Sequence, residues 1–217
     1  MKFSKHTIAQ YEEQQEKSDA PLVKQWLNPN ELDFNKECEF LFMDEDPYEC
    51  WEVWTDRIED GKNVPFRFPF SGEEPTNEEI RQEIGKDFIR QKAKYDNKKK
   101  GIKKDVDDRG VEHAMFWPVY NCKEGCLQIL KVVQVSLQSQ IIKTSMLKKY
   151  RNRMEEYNHS ILKSQGSTVQ YTFTSYERDD DFDEESVKKI WDDQVEKGYS
   201  IEVLLDNGEP FNPGGNS

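Results

Sequence analysis

No apolar run in the sequence approaches the roughly 18 residues of a membrane-spanning helix. Its start, MKFSKHTIAQYEEQQEK, lacks the apolar centre of a secretion signal. Cysteine is scarce: Cys38, Cys50, Cys122 and Cys126. With no export signal, the expectation is reduced thiols in a cytosol. Catalytic signatures are missing too, with no Gly-rich phosphate loop, no HExxH and no GxSxG. The three histidines, His6, His113 and His159, are scattered. The chain therefore reads as a non-enzyme, with no catalytic residue and no cofactor. Cys122-x-x-x-Cys126 with His113 nearby resembles half of a zinc site. Cys38 and Cys50, twelve residues apart on expected strands, do not complete it, and packed thiols are the better reading. The Asp56/Glu59 pair could hold magnesium for a nuclease, but carboxylates are too abundant here for the pair to stand out.

Apolar residues are also few, at 35%, against 34% charged. That suffices for one modest domain with polar extensions, and the 12% aromatic content argues against general disorder. The net charge of −12 conceals an asymmetry. From Lys86 to Arg153 there are 17 basic and 7 acidic residues; the rest of the chain carries 14 basic and 36 acidic ones. A basic working surface flanked by acidic segments is one meaning of such a split, and a solvated surface with no partner is the other.

Residues 3–17 predict a polar helix. Short strands are expected over 38–42, 48–55 and 64–70, the last with Phe66, Phe68 and Phe70 on one face and Arg67 on the other. Its two prolines, Pro65 and Pro69, place it at an edge or a bulge. Thr76-Asn77-Glu78-Glu79 is a capping box, opening a helix expected to reach about Tyr95 with Ile80, Ile84, Phe88 and Ile89 on one face. A basic loop, 98–104, and a turn at 107–110 precede a hairpin that turns at Lys123-Glu124-Gly125. Leu137, Ile141, Met146, Tyr150, Met154 and Tyr157 then predict one helix ending near Asn158, with Lys143, Lys148, Lys149, Arg151 and Arg153 outward. A strand is expected over 167–176, with Val169, Tyr171 and Phe173 on one face. An acidic run, 179–185, and a last helix over 184–197 follow, the helix burying Val187, Ile190, Trp191 and Val195. The acidic run reads as a helix N-terminus, with competition for the basic surface as a functional alternative.

The skeleton predicts a β-barrel-centred α+β fold: an OB-like five-stranded barrel with helical insertions and a C-terminal helix. The expected division is a polar extension over 1–30, a core domain over 31–178 with a helical and basic insertion at 76–110, and an acidic segment, helix and tail over 179–217.

Aromatic residues on the expected strands stand among cations: Trp51, Trp54, Phe66, Phe68, Phe116, Trp117 and Tyr120 with Arg57, Lys62, Arg67 and Lys131. Single-stranded nucleic acid offers flat bases to such rings and phosphates to such cations. The bland counterpart is that the rings fill a small core. Phe116 and Trp117, being adjacent, face opposite sides of a strand; Phe116 is expected in the core and Trp117 outward.

Four segments carry a resemblance: ECWEVWTDRIEDGKNVPFRFPF, HAMFWPVYNCKEGCLQILKVVQVSLQSQI, VQYTFTSYERD and IEVLLDNGEPF. Together they resemble the single-stranded DNA-binding proteins of tailed bacteriophages, over about residues 35–210. In that family an aromatic strand ending in V-Y-N opens a hairpin, a helix starts near a Q-x-S-x-Q pattern, and a strand of Y-D-F-T-I-x-R type follows. Here that strand is YTFTSYER, with Thr172 and Ser175 as departures. The resemblance implies an OB-type barrel, sequence-tolerant binding of single strands, and service in phage replication, recombination or repair. It places the contacts at Trp51, Trp54, Arg67, Trp117, Tyr120 and Tyr171. With the cations and Phe68 added, the expected interface is Trp51, Trp54, Arg57, Lys62, Arg67, Phe68, Trp117, Tyr120, Lys131 and Tyr171. The expected setting is the cytoplasm of an infected bacterium, with phage or host replication proteins as further partners and no membrane. The ending Gly214-Gly215-Asn216-Ser217 departs from the acidic tip common in such proteins, and the segment 76–110 departs as an insertion. A second reading, an acidic phage protein that inhibits a host factor by presenting a DNA-like charge, rests on residues 31–60, with 12 acids and 2 bases.

Overall fold

A computed structural model of the chain describes residues 26–59, 61–90, 110–179 and 182–213, with the side chains of Asp56 and Lys62 outside that set. The expected helix over 3–17 and the basic loop 98–104 lie outside the described residues. The strands are β1 (Trp26–Leu27), β2 (Glu37–Phe42), β3 (Tyr48–Glu59), β4 (Lys62–Pro69), β5 (Val111–Asn121), β6 (Cys126–Val132), β7 (Asn158–Gln165) and β8 (Val169–Tyr176). The helices are α1 (Asn77–Ile84), α2 (Val135–Ser145) and α3 (Glu184–Glu196).

One sheet holds all eight strands in the order β1-β6-β5-β2-β7-β8, with β3 beside β5 and β4 beside β3. Every pairing is antiparallel except β1 with β6. β5 is the organiser. One of its edges pairs with β6 in a hairpin; the other is shared end to end by β2 (Phe42 opposite Val119) and β3 (Tyr48 opposite Phe116). Among the described strands β1, β4 and β8 each have a single partner, so the pairings trace an open sheet and not the ring of a five-stranded barrel. The α+β class stands.

Side chains cover the outer edge of β8. The Gln140 amide donates to the Tyr171 carbonyl (2.9 Å) and accepts from the Phe173 N–H (2.9 Å); the Tyr150 hydroxyl donates to the Ser175 carbonyl (3.0 Å). These groups do what a neighbouring strand would, and they blunt an edge that would otherwise invite pairing.

The sheet is buried on both faces. On one, Phe40, Phe42, Trp117, Val119, Leu130 and Val132 pack under Leu137 and Ile141 of α2. On the other, Cys50, Ala114, Phe116 and Ile129 pack against Leu204, with Tyr199, Ile201, Leu205 and Phe211 around it. Phe116 (0% exposed) and Trp117 (3%) are therefore both interior, and the outward placing of Trp117 is corrected. A third cluster joins Val53, Phe66 and Phe68 to Ile80 and Phe88.

The capping box forms as read: Thr76 Oγ1 accepts from the Glu79 N–H (3.2 Å) and the Glu79 carboxylate accepts from the Thr76 N–H (2.7 Å). α1 nevertheless stops at Ile84, because Gly85 takes a left-handed conformation (φ 70°) and caps it. Phe88 and Ile89 are buried, as expected, but lie outside the helix. The long helix expected to Asn158 is also corrected. α2 ends at Ser145, the backbone turns through a left-handed Asn152 (φ 55°) and a 3-10 turn at Met154–Glu156, and β7 begins at Asn158. Met154 and Tyr157 do reach the core, carried there by turns. In α3, Val187 is buried but Val195 is half exposed, and Asp183 caps the helix by accepting from the Ser186 N–H (3.1 Å).

His159, on β7, is wholly buried against Phe40, Phe42 and Phe173. Its Nε2–H donates to the Met154 carbonyl (2.8 Å), which leaves Nδ1 to accept from the Ser175 hydroxyl (2.7 Å). Burial pushes its pKa down from 6.5 to about 4. The unfolded chain then binds the extra proton more readily, so stability falls as pH drops from about 6.5 to about 4. Urea unfolding at pH 7 and pH 4.5 is expected to differ by up to about 3 kcal/mol from this group. His159→Gln should remove most of that slope.

Candidate nucleic-acid interface

Alternation along β3 sends Cys50, Glu52 and Trp54 to one side and Trp51, Val53 and Thr55 to the other. That puts Trp51 and Trp54, both in the expected contact set, on opposite faces of the sheet.

On the Glu52 side the cations are already committed. Arg67 lies opposite Glu52 in register, and its Nε donates to Oε1 (2.8 Å). Lys131 Nζ approaches Oε2 at 2.5 Å. Their side chains are 4%, 0% and 15% exposed for Arg67, Glu52 and Lys131. Arg67 also donates to the Leu204 carbonyl (2.6 Å) and to Asn207 Oδ1 (3.1 Å), tying down the 3-10 turn Glu202–Asp206. Lys131 stands over the rings of Trp54 (4.9 Å) and Phe116 (5.9 Å). Arg67 and Lys131 are thus structural cations, and their expected role on phosphate is corrected. Trp54 is half-buried beside Lys131. Alternation had placed Arg67 opposite Phe66 and Phe68 correctly. What it meets there comes from strands and turns far away in sequence.

The other expected residues scatter. Trp117 is in the main core, its indole N–H directed at the Glu45 carbonyl (3.4 Å) and its ring on Phe42 (centroids 5.4 Å apart). Arg57 is ion-paired with Glu59 and lies over the Phe66 ring at 4.5 Å. Tyr120, half-buried at the β5–β6 hairpin, has its hydroxyl pKa raised by burial. Tyr171 packs on the main core and donates to Asn30 Oδ1 (2.8 Å). The side chain of Lys62 lies outside the described residues.

On the opposite side of β3 a ring cluster does form. Trp51 stands opposite Phe68 on β4 and His113 on β5. Phe70, just beyond β4, stacks on His113 (centroids 4.6 Å apart, planes at 20°). Trp51 lies 5.2 Å from His113 and 5.7 Å from Phe70. Phe70 is 38% exposed, and Trp51 and His113 are partly exposed. His113 Nε2 meets Glu49 Oε2 at 2.7 Å, which fixes the ring's orientation. Of the expected contact set only Trp51 and Phe68 belong here. Phe70 and His113 were missing from it, although the alternation of Phe66, Phe68 and Phe70 already pointed to this face.

The basic stretch is open in part. Lys143, Lys148 and Arg151 are exposed, while Lys149 pairs with Glu177 and Arg153 with Glu156. Eight of the 17 basic residues fall within 91–109, outside the described residues. Cys38, Cys50 and Cys126 are buried thiols, and burial raises Cys38 to about 11 and Cys50 to about 12. No group of three or more His, Cys, Asp or Glu able to hold a metal occurs among the described residues. No described helix is long and apolar enough to cross a membrane.

No family model matches the chain, and neither the curated proteins nor the solved structures contain a match to it.

Proposed function

We propose that the chain binds single-stranded DNA without sequence specificity, using the Trp51–Phe70–His113 cluster as its stacking platform. The observation that carries this reading is three mutually packed, partly exposed rings on one sheet face, where a small acidic domain would be expected to place polar side chains. A base laid on such a platform gains roughly 1–3 kcal/mol whatever its identity. Phosphate contacts fall to exposed residues of the basic stretch 86–153, in place of Arg67 and Lys131. On this reading the open sheet is a relative of the OB-like barrel. The protein then serves phage DNA replication, recombination or repair in the host cytoplasm.

Trp51→Ala and Phe70→Ala are each expected to weaken binding to labelled oligothymidine by about tenfold or more, with little change in thermal midpoint. Unchanged affinity in both variants would refute the platform.

A second reading, binding of a host factor by a DNA-like acidic surface, is favoured by the exposure of Glu31, Asp33, Glu37, Glu39, Asp44 and Asp46 along and around β2. It requires a host protein that co-purifies with the chain and is released by salt, while oligothymidine does not bind.

A further inference from the structure

The outward side of α2 carries the wrong residues for a solvated helix. At 100° per residue, Val135, Ile142 and Met146 fall within about 40° of one another, on an exposed arc that flanks the buried Leu137, Gln138 and Ile141. Val135 is 74% exposed, Met146 63%, Leu147 55% and Ile142 45%. Four of the nine large apolar side chains exposed among the described residues thus lie within 135–147. The charges the segment itself carries are all positive: residues 135–153 contain Lys143, Lys148, Lys149, Arg151 and Arg153 and no acid, with Lys149 and Arg153 paired to Glu177 and Glu156 and with Glu45 and Asp46 sharing a pocket with Ile142. An exposed apolar stripe beside the exposed Lys143, Lys148 and Arg151 has the composition of an interface.

α3 offers the complement. It is held to the body by Val187, Gln194 and the partly buried Ile190 and Trp191. Its exposed side carries Val195, half exposed, with Glu185, Asp192 and Glu196 beside it and two lysines, Lys188, already paired to Asp192 (2.8 Å), and Lys189. One helix therefore presents an apolar stripe with a basic rim, the other an apolar spot with an acidic rim.

We propose that the chain associates with itself head to tail, the outward face of α2 in one copy receiving the outward face of α3 in the next. Such a contact is heterologous: each copy keeps one free surface of each kind, and association continues into chains or rings. It goes beyond the DNA-binding reading and does not depend on it.

The test uses sedimentation velocity on the full chain over a wide range of concentration, at low and high salt. The wild type is expected to grow past the dimer at low salt and to return toward the monomer at high salt. Met146→Asp and Val195→Arg alter exposed positions, and each variant alone is expected to stay monomeric. Mixed in equal amounts, they should form a dimer and nothing larger, since the first retains an intact α3 and the second an intact α2. Dimer formation on mixing also shows that both variants are folded. A monomeric wild type under all conditions overturns the proposal, as does a mixture that stays monomeric. Association that survives Val195→Arg but not Met146→Asp overturns α3 as the occupant and assigns the stripe to another surface.

Discussion

Glu52→Ala is expected to cost about 3–5 kcal/mol of stability, among the largest single-site losses in the protein. Glu52 is wholly buried and holds two cations, Arg67 at 2.8 Å and Lys131 at 2.5 Å. Removing it leaves two positive charges in a low-dielectric setting with too few acceptors. The loss should reach the C-terminal region, because the Arg67 guanidinium also binds the Leu204 carbonyl and Asn207. Urea unfolding measures the first effect, and faster limited proteolysis within 199–213 measures the second. Replacing Glu52, Arg67 and Lys131 together by apolar residues of similar volume should cost less than Glu52→Ala alone, since no charge is then stranded. A loss below about 1 kcal/mol for Glu52→Ala would show that the cations find other partners and that the cluster is not what anchors the turn.

Trp117→Ala is expected to cost about 3–5 kcal/mol while leaving the affinity of the folded fraction for oligothymidine unchanged. The ring is 3% exposed and packs with Phe42, Met115 and Ile141 in the largest core cluster. A solvent-open pocket of about 190 Å³ already reaches the ring, lined in part by Phe42, Met115, Ile141 and Met154, so truncation deepens it into the core. Trp51→Ala should show the reverse pattern, with binding lost and stability kept. A Trp117→Ala variant that remains as stable as the wild type but binds tenfold more weakly would invert the assignment of the two rings.

What the sequence made legible was local. The Thr76–Glu79 capping box, the β5–β6 hairpin with Gly125 in its turn (φ 64°) and the alternation in β4 each depend on residues a few positions apart. Alternation also separated Phe116 from Trp117 and Arg67 from Phe66 correctly. What covered each side was not legible, because the covers are distant in sequence: residues 199–211 over Phe116, α2 over Trp117, and Glu52 with Asn207 around Arg67. A sheet covered on both faces defeats the rule that one of two adjacent rings must face solvent. β7 itself was not foreseen, and the stretch before it was read as helix for a related reason. Tyr150, Met154 and Tyr157 keep helical spacing and do face the core, yet the left-handed Asn152 and a 3-10 turn bring them there. The ring cluster of Trp51, Phe70 and His113 was half legible. Phe70, just beyond β4, follows from alternation, but His113 joins it through a register between β3 and β5, strands separated by more than fifty residues.

The most direct measurement is the quenching of tryptophan fluorescence by oligothymidine at low and high salt, in the wild type and in Trp51→Phe. The wild type is expected to quench saturably, with an affinity that falls steeply as salt rises, and Trp51→Phe should lose most of the quench while still unfolding at the same temperature. No quenching in the wild type at low salt, or the same quench in Trp51→Phe, would contradict the account.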